Sequence, residues 1–273
     1  MLEMPARDIP KVLFARGPLP AQENKVLCVV GSRACTPYGR RQTQKLIAGL
    51  AGYPITVVSG LALGIDGEAL KAALDAGLPA LAVLPSSVDD ASIYPASNRP
   101  LAQRILARGG CLVSETKGPW KAAIHDFPKR DRLMAGMAHA TLAIEAGEKS
   151  GTLITARLTL DYNRELLAVP HELDRQTGAG VNRLLREGAT LVRNSADILE
   201  ALGLKPLESP SQMPLPTDLS EGEYLLMEAL ASPLLRDELI EATELSAQEA
   251  GVALSSLLIR GLIAERLGKI ERV

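Results

Sequence analysis

Short apolar runs alternate along the chain with stretches in which leucine and alanine recur at helical spacing. Most of these runs are apolar on both faces, which is the pattern of strands buried within a parallel sheet. The runs are 25–30, 55–59, 79–84, 111–114, 141–146, 166–169 and 190–193, and the helical stretches include 38–51, 66–76 and 98–107. The alternation predicts an α/β fold with a doubly wound, mostly parallel sheet, whose ligands bind at the carboxyl ends of the strands.

The pattern changes after residue 203. Residues 204–217 contain Pro206, Pro210, Pro214 and Pro216, so they are predicted to form an extended linker. Beyond the linker, helical spacing returns, followed by a β-like pattern on both sides of a glycine. The predicted helices are 221–230, 234–242 and 247–260, and the β-like segments are 261–264 and 269–273. This order predicts a small winged-helix domain over 218–273, after a larger domain over 1–203 in which 1–24 is a lead-in.

Charge is balanced over the whole chain but not within it. The 273 residues carry 30 Lys and Arg against 32 Asp and Glu, a net charge of −2 that argues against a polybasic nucleic-acid binder. Residues 1–202 hold 24 basic and 20 acidic side chains, whereas residues 203–273 hold 6 and 12. The larger domain is therefore mildly basic, which is compatible with binding a nucleic-acid strand, and the smaller one is acidic.

Several features of the sequence predict a cytoplasmic protein. The first residues include Glu3 and Asp8, which are foreign to a signal peptide, and no apolar run approaches the roughly 18 residues of a membrane span. Cys28, Cys35 and Cys111 form no CxxC motif. We therefore expect reduced thiols and no structural zinc.

Three loops that follow strands combine small residues with the start of a helix. Glycine lets the backbone approach a ligand closely, and a helix N-terminus favours an anion. A fourth segment concentrates positive charge and carries an aromatic ring that could stack on a base. The candidate phosphate- and DNA-binding residues are Gly31, Ser32, Arg33, Ser59, Gly60, Gly64, Asp66, Phe127, Lys129, Arg130, Arg132, Lys149, Ser150, Gly151 and Thr152. Plain strand–helix turns, with Asp66 as a helix cap and Phe127 as a core residue, are the alternative interpretation.

No catalytic constellation accompanies these loops. His125, His139 and His171 lack partners at a recognisable spacing, and none belongs to a metal-ligand pattern. The sequence has no G-x-S-x-G nucleophile elbow, and its glycines match neither the G-x-G-x-x-G nor the Walker A pattern. The sequence therefore predicts no enzymatic activity, no cofactor and no metal.

Taken in order, these segments resemble the DNA-processing protein A (DprA/Smf) family. The matching strings are VGSR at 30–33, TPYG at 36–39, VSGLALGID at 58–66, YP at 94–95 with Asn98, SE at 114–115, FPKRDRLMAG at 127–136, Glu145 with SGTLITA at 150–156, AVP at 168–170, GVN at 180–182 and GA at 188–189. The ordered set covers about residues 25–193. The C-terminal part also fits, since many members carry a winged helix after a linker.

The resemblance implies an extended Rossmann-like domain that binds single-stranded DNA and forms homodimers. In the family this protects incoming DNA during natural transformation and helps to load the RecA recombinase onto it. Arg33, Arg130, Arg132 and the loops 59–66 and 150–152 occupy the positions carried over as the DNA pocket.

Four positions depart from the usual pattern of the family. Leu63 stands where an arginine is usual, and Asp131 where an asparagine is usual; Leu70 replaces a histidine and His171 a glycine. One positive charge is lost and one negative charge is gained. Both changes should weaken the binding of phosphate.

Two other classes of function stay open. The same superfamily contains LOG-type nucleotide phosphoribohydrolases, but the chain lacks their Pro-Gly-Gly and has Thr155 in place of their acid/base glutamate. A nucleotide-binding Rossmann protein is a related possibility. The third candidate is a protein-interaction module without DNA affinity. It rests on the helix 247–260, in which only Arg260 is positive and Glu249 is negative, whereas a helix that reads duplex DNA carries several basic or amide side chains.

Overall fold

The computed structural model describes residues 4–205, 216, 218–230, 234–243, 245–266 and 268–272. Contacts divide the chain into two compact units, Met1–Leu204 and Lys205–Val273. Most of the predicted linker, 204–217, lies outside the described residues, so its boundaries stay a prediction.

The first unit is an α/β structure, as the alternating pattern predicts. Its strands are β1 (Phe14–Arg16), β2 (Lys25–Val30), β3 (Ile55–Ser59), β4 (Ala80–Val83), β5 (Cys111–Ser114), β6 (Ala140–Ala143), β7 (Glu165–Ala168) and β8 (Thr190–Leu191). Its helices are α1 (Pro37–Ala48), α2 (Ile65–Asp75), α3 (Arg99–Ala107), α4 (Asp126–Met137), α5 (Thr152–Asp161), α6 (Ala179–Arg186) and α7 (Ser195–Ala201). Two short 3-10 helices, Ala6–Asp8 and Ala96–Asn98, complete the unit.

The strands form one sheet in the order β1-β5-β4-β3-β2-β6-β7-β8. Every neighbouring pair is parallel except β1 and β5. The chain adds β3, β4 and β5 on one side of β2 and then returns to place β6 on the other side, with Cys28 opposite Thr141. The strand order therefore reverses between β2 and β6. In doubly wound sheets ligands bind in the crevice at such a switch point.

The sheet is buried on both faces, because successive side chains of each central strand point to opposite sides. Leu27 and Val29 of β2 join the apolar core on one face, against helices α1, α2, α3 and α7. Cys28 and Val30 join the core on the other face, where α4, α5 and α6 pack. The predicted doubly wound, mostly parallel α/β fold is confirmed.

The sequence pattern does not mark every element of the first unit, and β1 and α4 show why. The lead-in, 1–24, contains β1, which pairs antiparallel with β5 and places Phe14 opposite Ser114. A strand of three half-exposed residues has no apolar run to mark it. At α4 the sequence indicates only a basic cluster. Arg130 and Asp131 occupy buried positions of this helix, where helical periodicity would place apolar residues.

The second unit consists of three helices and a small antiparallel sheet. The elements are α8 (Glu221–Ala229), β9 (Leu234–Leu235), α9 (Arg236–Thr243), α10 (Ala247–Ile259), β10 (Ile263–Arg266) and β11 (Lys269–Arg272), with the strands in the order β10-β11-β9. Residues 234–235 belong to β9, so the helix predicted over 234–242 begins two residues later than expected. Ile270 of β11 pairs with Leu234, which draws that end of the segment into the sheet. The winged-helix assignment stays a prediction.

Candidate functional site

A groove of about 590 Å³ opens at the carboxyl ends of the central strands, at the switch point between β2 and β6. Its walls come from the loop after β2, the loop after β3, the start of α5 and the first turns of α4. We call it the strand-end groove. The lining residues are Val30, Gly31, Ser32, Arg33, Ala34, Ala62, Asp66, Ile124, Phe127, Pro128, Arg130, Asp131, Met134, Ser150, Gly151, Thr152, Ile154 and Thr155.

Backbone hydrogen bonds hold together the loops that follow β2, β3 and β6. The Ser32 N–H donates to the Glu145 carbonyl over 2.7 Å, and the Ile65 N–H donates to the Ser32 carbonyl over 3.1 Å. A Cβ on Gly31 would overlap the Ile65 side chain, and one on Gly64 would overlap the Ser32 carbonyl. Gly64 also has a φ of +72°, a conformation that glycine adopts without strain. These two glycines are therefore required by loop packing, whatever they do for a ligand.

A buried cluster of charges forms the floor of the strand-end groove. The Arg130 Nη1 donates to the Val83 carbonyl over 3.1 Å, and Nε lies 3.1 Å from Asp131 Oδ1. Only 5% of the Arg130 side chain is exposed. Asp66 accepts a hydrogen bond of 3.2 Å from the Gly60 N–H, and a Cβ on Gly60 would overlap the Arg130 guanidinium. Because Gly60 has no side chain, the Arg130 guanidinium can lie directly against its backbone.

Burial shifts the pKa of both carboxyl groups in this cluster. It raises the pKa of Asp66 to about 6, although Arg130 and the N–H groups of Ala62 and Gly60 act in the opposite direction. It also raises the pKa of Asp131, against the attraction of Arg130 and Arg33. The two acids face one guanidinium, so the second negative charge has no full counterpart within the cluster. The floor of the groove consequently carries net negative charge when both acids are ionised.

Arg33 is placed differently from Arg130, on the exposed rim of the groove. Its guanidinium carbon lies 4.7 Å from the centre of the Phe127 ring. Phe127 in turn meets Tyr94 edge to face, with 5.9 Å between the ring centres. Tyr94 and Leu63, each about half exposed, border the same corner. The result is a cation held flat on an aromatic ring, beside an apolar rim.

The start of α5 forms the opposite wall. Gly151 is exposed, and the Ser150 and Thr152 hydroxyls bond each other over 3.0 Å. The Thr152 N–H donates to the Ser150 hydroxyl oxygen over 3.3 Å. Lys149 is exposed on the preceding loop. The helix therefore presents its positive end and an uncrowded glycine to the groove.

Six of the predicted site residues do not line the groove: Ser59, Gly60, Gly64, Lys129, Arg132 and Lys149. The buried Ser59 hydroxyl donates to the Val29 carbonyl over 2.7 Å and so joins β3 to β2. Arg132 donates to the Glu115 carboxylate and to the Asp8 carbonyl, which ties the lead-in to α4. Lys129 is exposed and lies 3.6 Å from a carboxylate oxygen of Asp126. Their part in binding stays a prediction.

The sequence interpretation missed the apolar part of the site. Ile124 and Ile154 line the groove with 90% and 42% exposure. Tyr94 lies in one of the strings that match the DprA/Smf pattern, but nothing in its spacing marks it as a neighbour of Phe127. Exposed apolar side chains look like core residues in a sequence, so only their placement reveals them.

Among the residues that the structure describes, no group of His, Cys, Asp and Glu is arranged to hold a metal ion. Within that part of the chain, no helix has the length and apolar character needed to span a membrane. Burial raises the pKa of the Cys28 thiol, beneath the charge cluster.

Comparison with known proteins places this chain in a family. The model of the family described as "DNA recombination-mediator protein A" matches residues 2–203. The protein Smf of Escherichia coli K12 is 35% identical over 269 residues, which cover 97% of this chain and 71% of that protein. The protein Smf of a Synechocystis species is 31% identical over 296 residues, which cover 95% of this chain and 74% of that protein.

Two solved structures share the fold. The DNA processing protein A of Streptococcus pneumoniae is similar with a TM-score of 0.67 and 33% identity, over 71% of this chain and 68% of that one. That of Helicobacter pylori, whose single-stranded DNA binding mode has been described, has a TM-score of 0.62 and 29% identity, over 71% and 87%. The resemblance inferred from the ordered motifs is therefore confirmed. The chain belongs to the DNA recombination-mediator protein A family, also known as DprA/Smf.

Proposed function

We propose that this chain binds single-stranded DNA in the strand-end groove and acts there as a recombination mediator. The observation that carries the proposal is the Arg33 guanidinium, exposed on the rim and held 4.7 Å above the Phe127 ring. Arginine presents a planar fork of donors that suits a phosphate, and aromatic rings bind bases by stacking. Both kinds of contact stand side by side at the switch point of the sheet.

The rest of the groove supports the same ligand. The α5 N-terminus offers the positive end of its dipole to a second phosphate, beside the exposed Lys149. Leu63, Tyr94 and Ile124 give the rim an apolar surface on which bases could lie. The related protein from Helicobacter pylori is described as binding single-stranded DNA. A groove that alternates anion-binding and stacking elements fits a flexible single strand better than a duplex.

Fluorescence anisotropy with a labelled oligothymidylate, titrated with salt, tests the proposal. We expect binding whose logarithm falls linearly with the logarithm of salt, with a slope of about −0.7 for each phosphate neutralised. Arg33→Ala should weaken binding to every sequence and make the slope shallower by about 0.7. Arg108→Ala is the matched control, since Arg108 is exposed at the end of α3, at the opposite edge of the sheet. Absence of binding at low salt would end the proposal.

Three finer parts of the proposal concern partners. We expect the protein to protect a bound strand, to promote assembly of a RecA-type recombinase on it, and to form a homodimer. Nuclease resistance of the labelled strand and the DNA-dependent ATPase rate of the recombinase measure the first two. Sedimentation equilibrium measures the third. Arg33→Ala should reduce protection and recombinase assembly in proportion to the loss of binding, because both depend on the bound strand.

One observation favours an enzymatic alternative. Asp66 lines the groove, and burial raises its pKa to about 6, which is in the range of a general acid or base at neutral pH. A LOG-like enzyme would release ribose 5-phosphate from a nucleoside monophosphate. We expect no release, because Asp66 already faces Arg130 and the Gly60 N–H. A measurable release that Asp66→Asn abolishes would establish the alternative.

Helix α10 does not carry the charges of a helix that reads duplex DNA. Arg260, the one basic residue in or just after α10, lies 2.7 Å from Asp218 and 3.3 Å from Glu223. Val252 and Ile259 on this helix are 69% and 87% exposed. We infer that this surface contacts protein rather than duplex DNA. A labelled duplex should therefore bind the full chain weakly, and tight, salt-sensitive binding of the duplex would contradict the inference.

A further inference from the structure

Trp120 is the single tryptophan of the chain, and it lies half exposed in the loop between β5 and α4. Its indole Nε1 donates to Asp126 Oδ2 over 3.3 Å. Its backbone is held as well: the N–H donates to the Ser87 hydroxyl over 2.8 Å, and the carbonyl accepts from the Ser87 N–H over 3.2 Å. The indole is thus fixed in one place with much of its surface open to solvent. A large apolar ring held in that way is not serving the core.

The surroundings of Trp120 connect it to the strand-end groove. Asp126, which receives the indole N–H, is the residue directly before Phe127. Ile124, which lines the groove, is only four residues beyond Trp120. Trp120 thus lies seven positions before Phe127, the ring that Arg33 covers.

Lysines flank Trp120 along the chain, and the Asp89 carboxylate lies nearby, accepting over 2.6 Å from the Ser87 hydroxyl that holds the Trp120 backbone. Lys117 and Lys121, three residues before and one residue after Trp120, are exposed. The Asp126 carboxylate is committed to the Ala123 N–H at 2.9 Å, to the indole, and to Lys129 at 3.6 Å. These bonds lower the pKa of Asp126 although burial acts to raise it. The acid is therefore already compensated and works as a positioning group for the ring.

We propose that Trp120, flanked by Lys117 and Lys121, is a second base-stacking subsite that extends the path of a single strand beyond the strand-end groove. The inference rests on the proposed function and adds to it a longer footprint and a named contact. Strand-binding proteins combine a positively charged groove that follows the backbone with aromatic side chains on which successive bases stack. The groove supplies one platform at Phe127, and Trp120 supplies the next.

The intrinsic fluorescence of the full chain reports on this subsite directly, because Trp120 is its only tryptophan. Oligothymidylates of increasing length, from about 3 to about 12 nucleotides, are titrated into the protein. Stacking of a base on the indole quenches the emission. We expect little quenching by the shortest strands and strong quenching once the strand is long enough to reach from the groove to the indole.

Variants then separate this inference from the proposed function, with anisotropy of labelled strands as the readout. Trp120→Ala should leave short strands unaffected and weaken long ones by about fivefold or more. Trp120→Phe should restore most of the loss, because the ring is kept without the indole N–H. Leu160→Ala is the matched control, as it also trims a half-exposed apolar side chain but lies near the end of α5, away from the groove.

The outcomes are distinct. If long and short strands bind Trp120→Ala as tightly as the unchanged protein, the second subsite is refuted while strand binding by the groove stands. If Trp120→Ala weakens short and long strands equally, Trp120 belongs to the groove itself, and the extended path is wrong. If no strand binds the unchanged protein at low salt, the proposed function itself is refuted, and the second subsite is refuted with it.

Discussion

Replacing Gly60 with alanine is the sharpest test of how the floor of the groove is built. The backbone of Gly60 passes so close to the Arg130 guanidinium that a Cβ would overlap Nη1, Cζ and Nη2 together. The backbone there is also tied to the buried Asp66 carboxylate. The Arg130 side chain must therefore leave its position, since it is the movable partner.

The cost of that displacement follows from what Arg130 loses. Its Nη1 gives up a hydrogen bond of 3.1 Å to Val83, and its Nε leaves the buried Asp131. Breaking a buried ion pair costs about 3–5 kcal/mol, because the remaining charge is left without a partner. The displaced guanidinium can turn toward the open groove, so we expect the lower end, about 3 kcal/mol. For a unit of this size that lowers the Tm by about 6–12 °C.

Urea denaturation followed by far-UV circular dichroism measures the effect on the free energy of unfolding. Gly151→Ala provides the control within the same groove: its Cβ would meet nothing within 4 Å, and its φ of −58° suits any residue. We expect Gly151→Ala to leave stability unchanged or slightly raised. A Gly60→Ala variant as stable as the unchanged protein would refute the reasoning. It would mean that Arg130 does not depend on that space.

Two further predictions concern stability. Because folding raises the pKa of Asp66 from 3.8 to about 6, its burial costs stability above that pKa, and the cost disappears as the pH falls toward 3.8. The stability of the unchanged protein relative to Asp66→Asn should therefore rise by about 2 kcal/mol between pH 7 and pH 4 in urea titrations, and a difference independent of pH would contradict this. Asn194→Ala should cost about 1 kcal/mol in the same assay, since the Asn194 side chain accepts from the N–H groups of Ala196 and Asp197 at the start of α7.

The sheet and the position of its groove could be predicted from the sequence, because both follow from patterns of apolar residues. Val26 to Val30 leave no polar position on either face, which only a strand covered on both sides tolerates. Once the strands are parallel, their carboxyl ends share one edge, and the loops at 31–33 and 150–152 must meet there. The ordered motifs then identify the family.

The roles of individual basic residues could not be predicted in the same way. Arg130 and Arg132 stand two residues apart in one cluster, yet the first is buried against Val83 and the second is held by Glu115. Which of two charged side chains points inward depends on partners from distant parts of the chain. The sequence does not place Val83 and Glu115 beside α4. The stacking of Arg33 on Phe127 is long-range for the same reason.

The placement of charges in the groove makes the proposed binding of a single strand compatible with a nearly neutral chain. Arg130 is balanced by Asp131 and Asp66, and Arg132 by Glu115, so neither brings free positive charge to a phosphate. Arg33 keeps its charge exposed, and the α5 N-terminus adds a partial charge that no residue count contains. Binding by such a groove draws on stacking as much as on phosphate neutralisation. A single strand offers both its bases and its phosphates at once, whereas a duplex hides the bases, so this balance of forces favours the single strand.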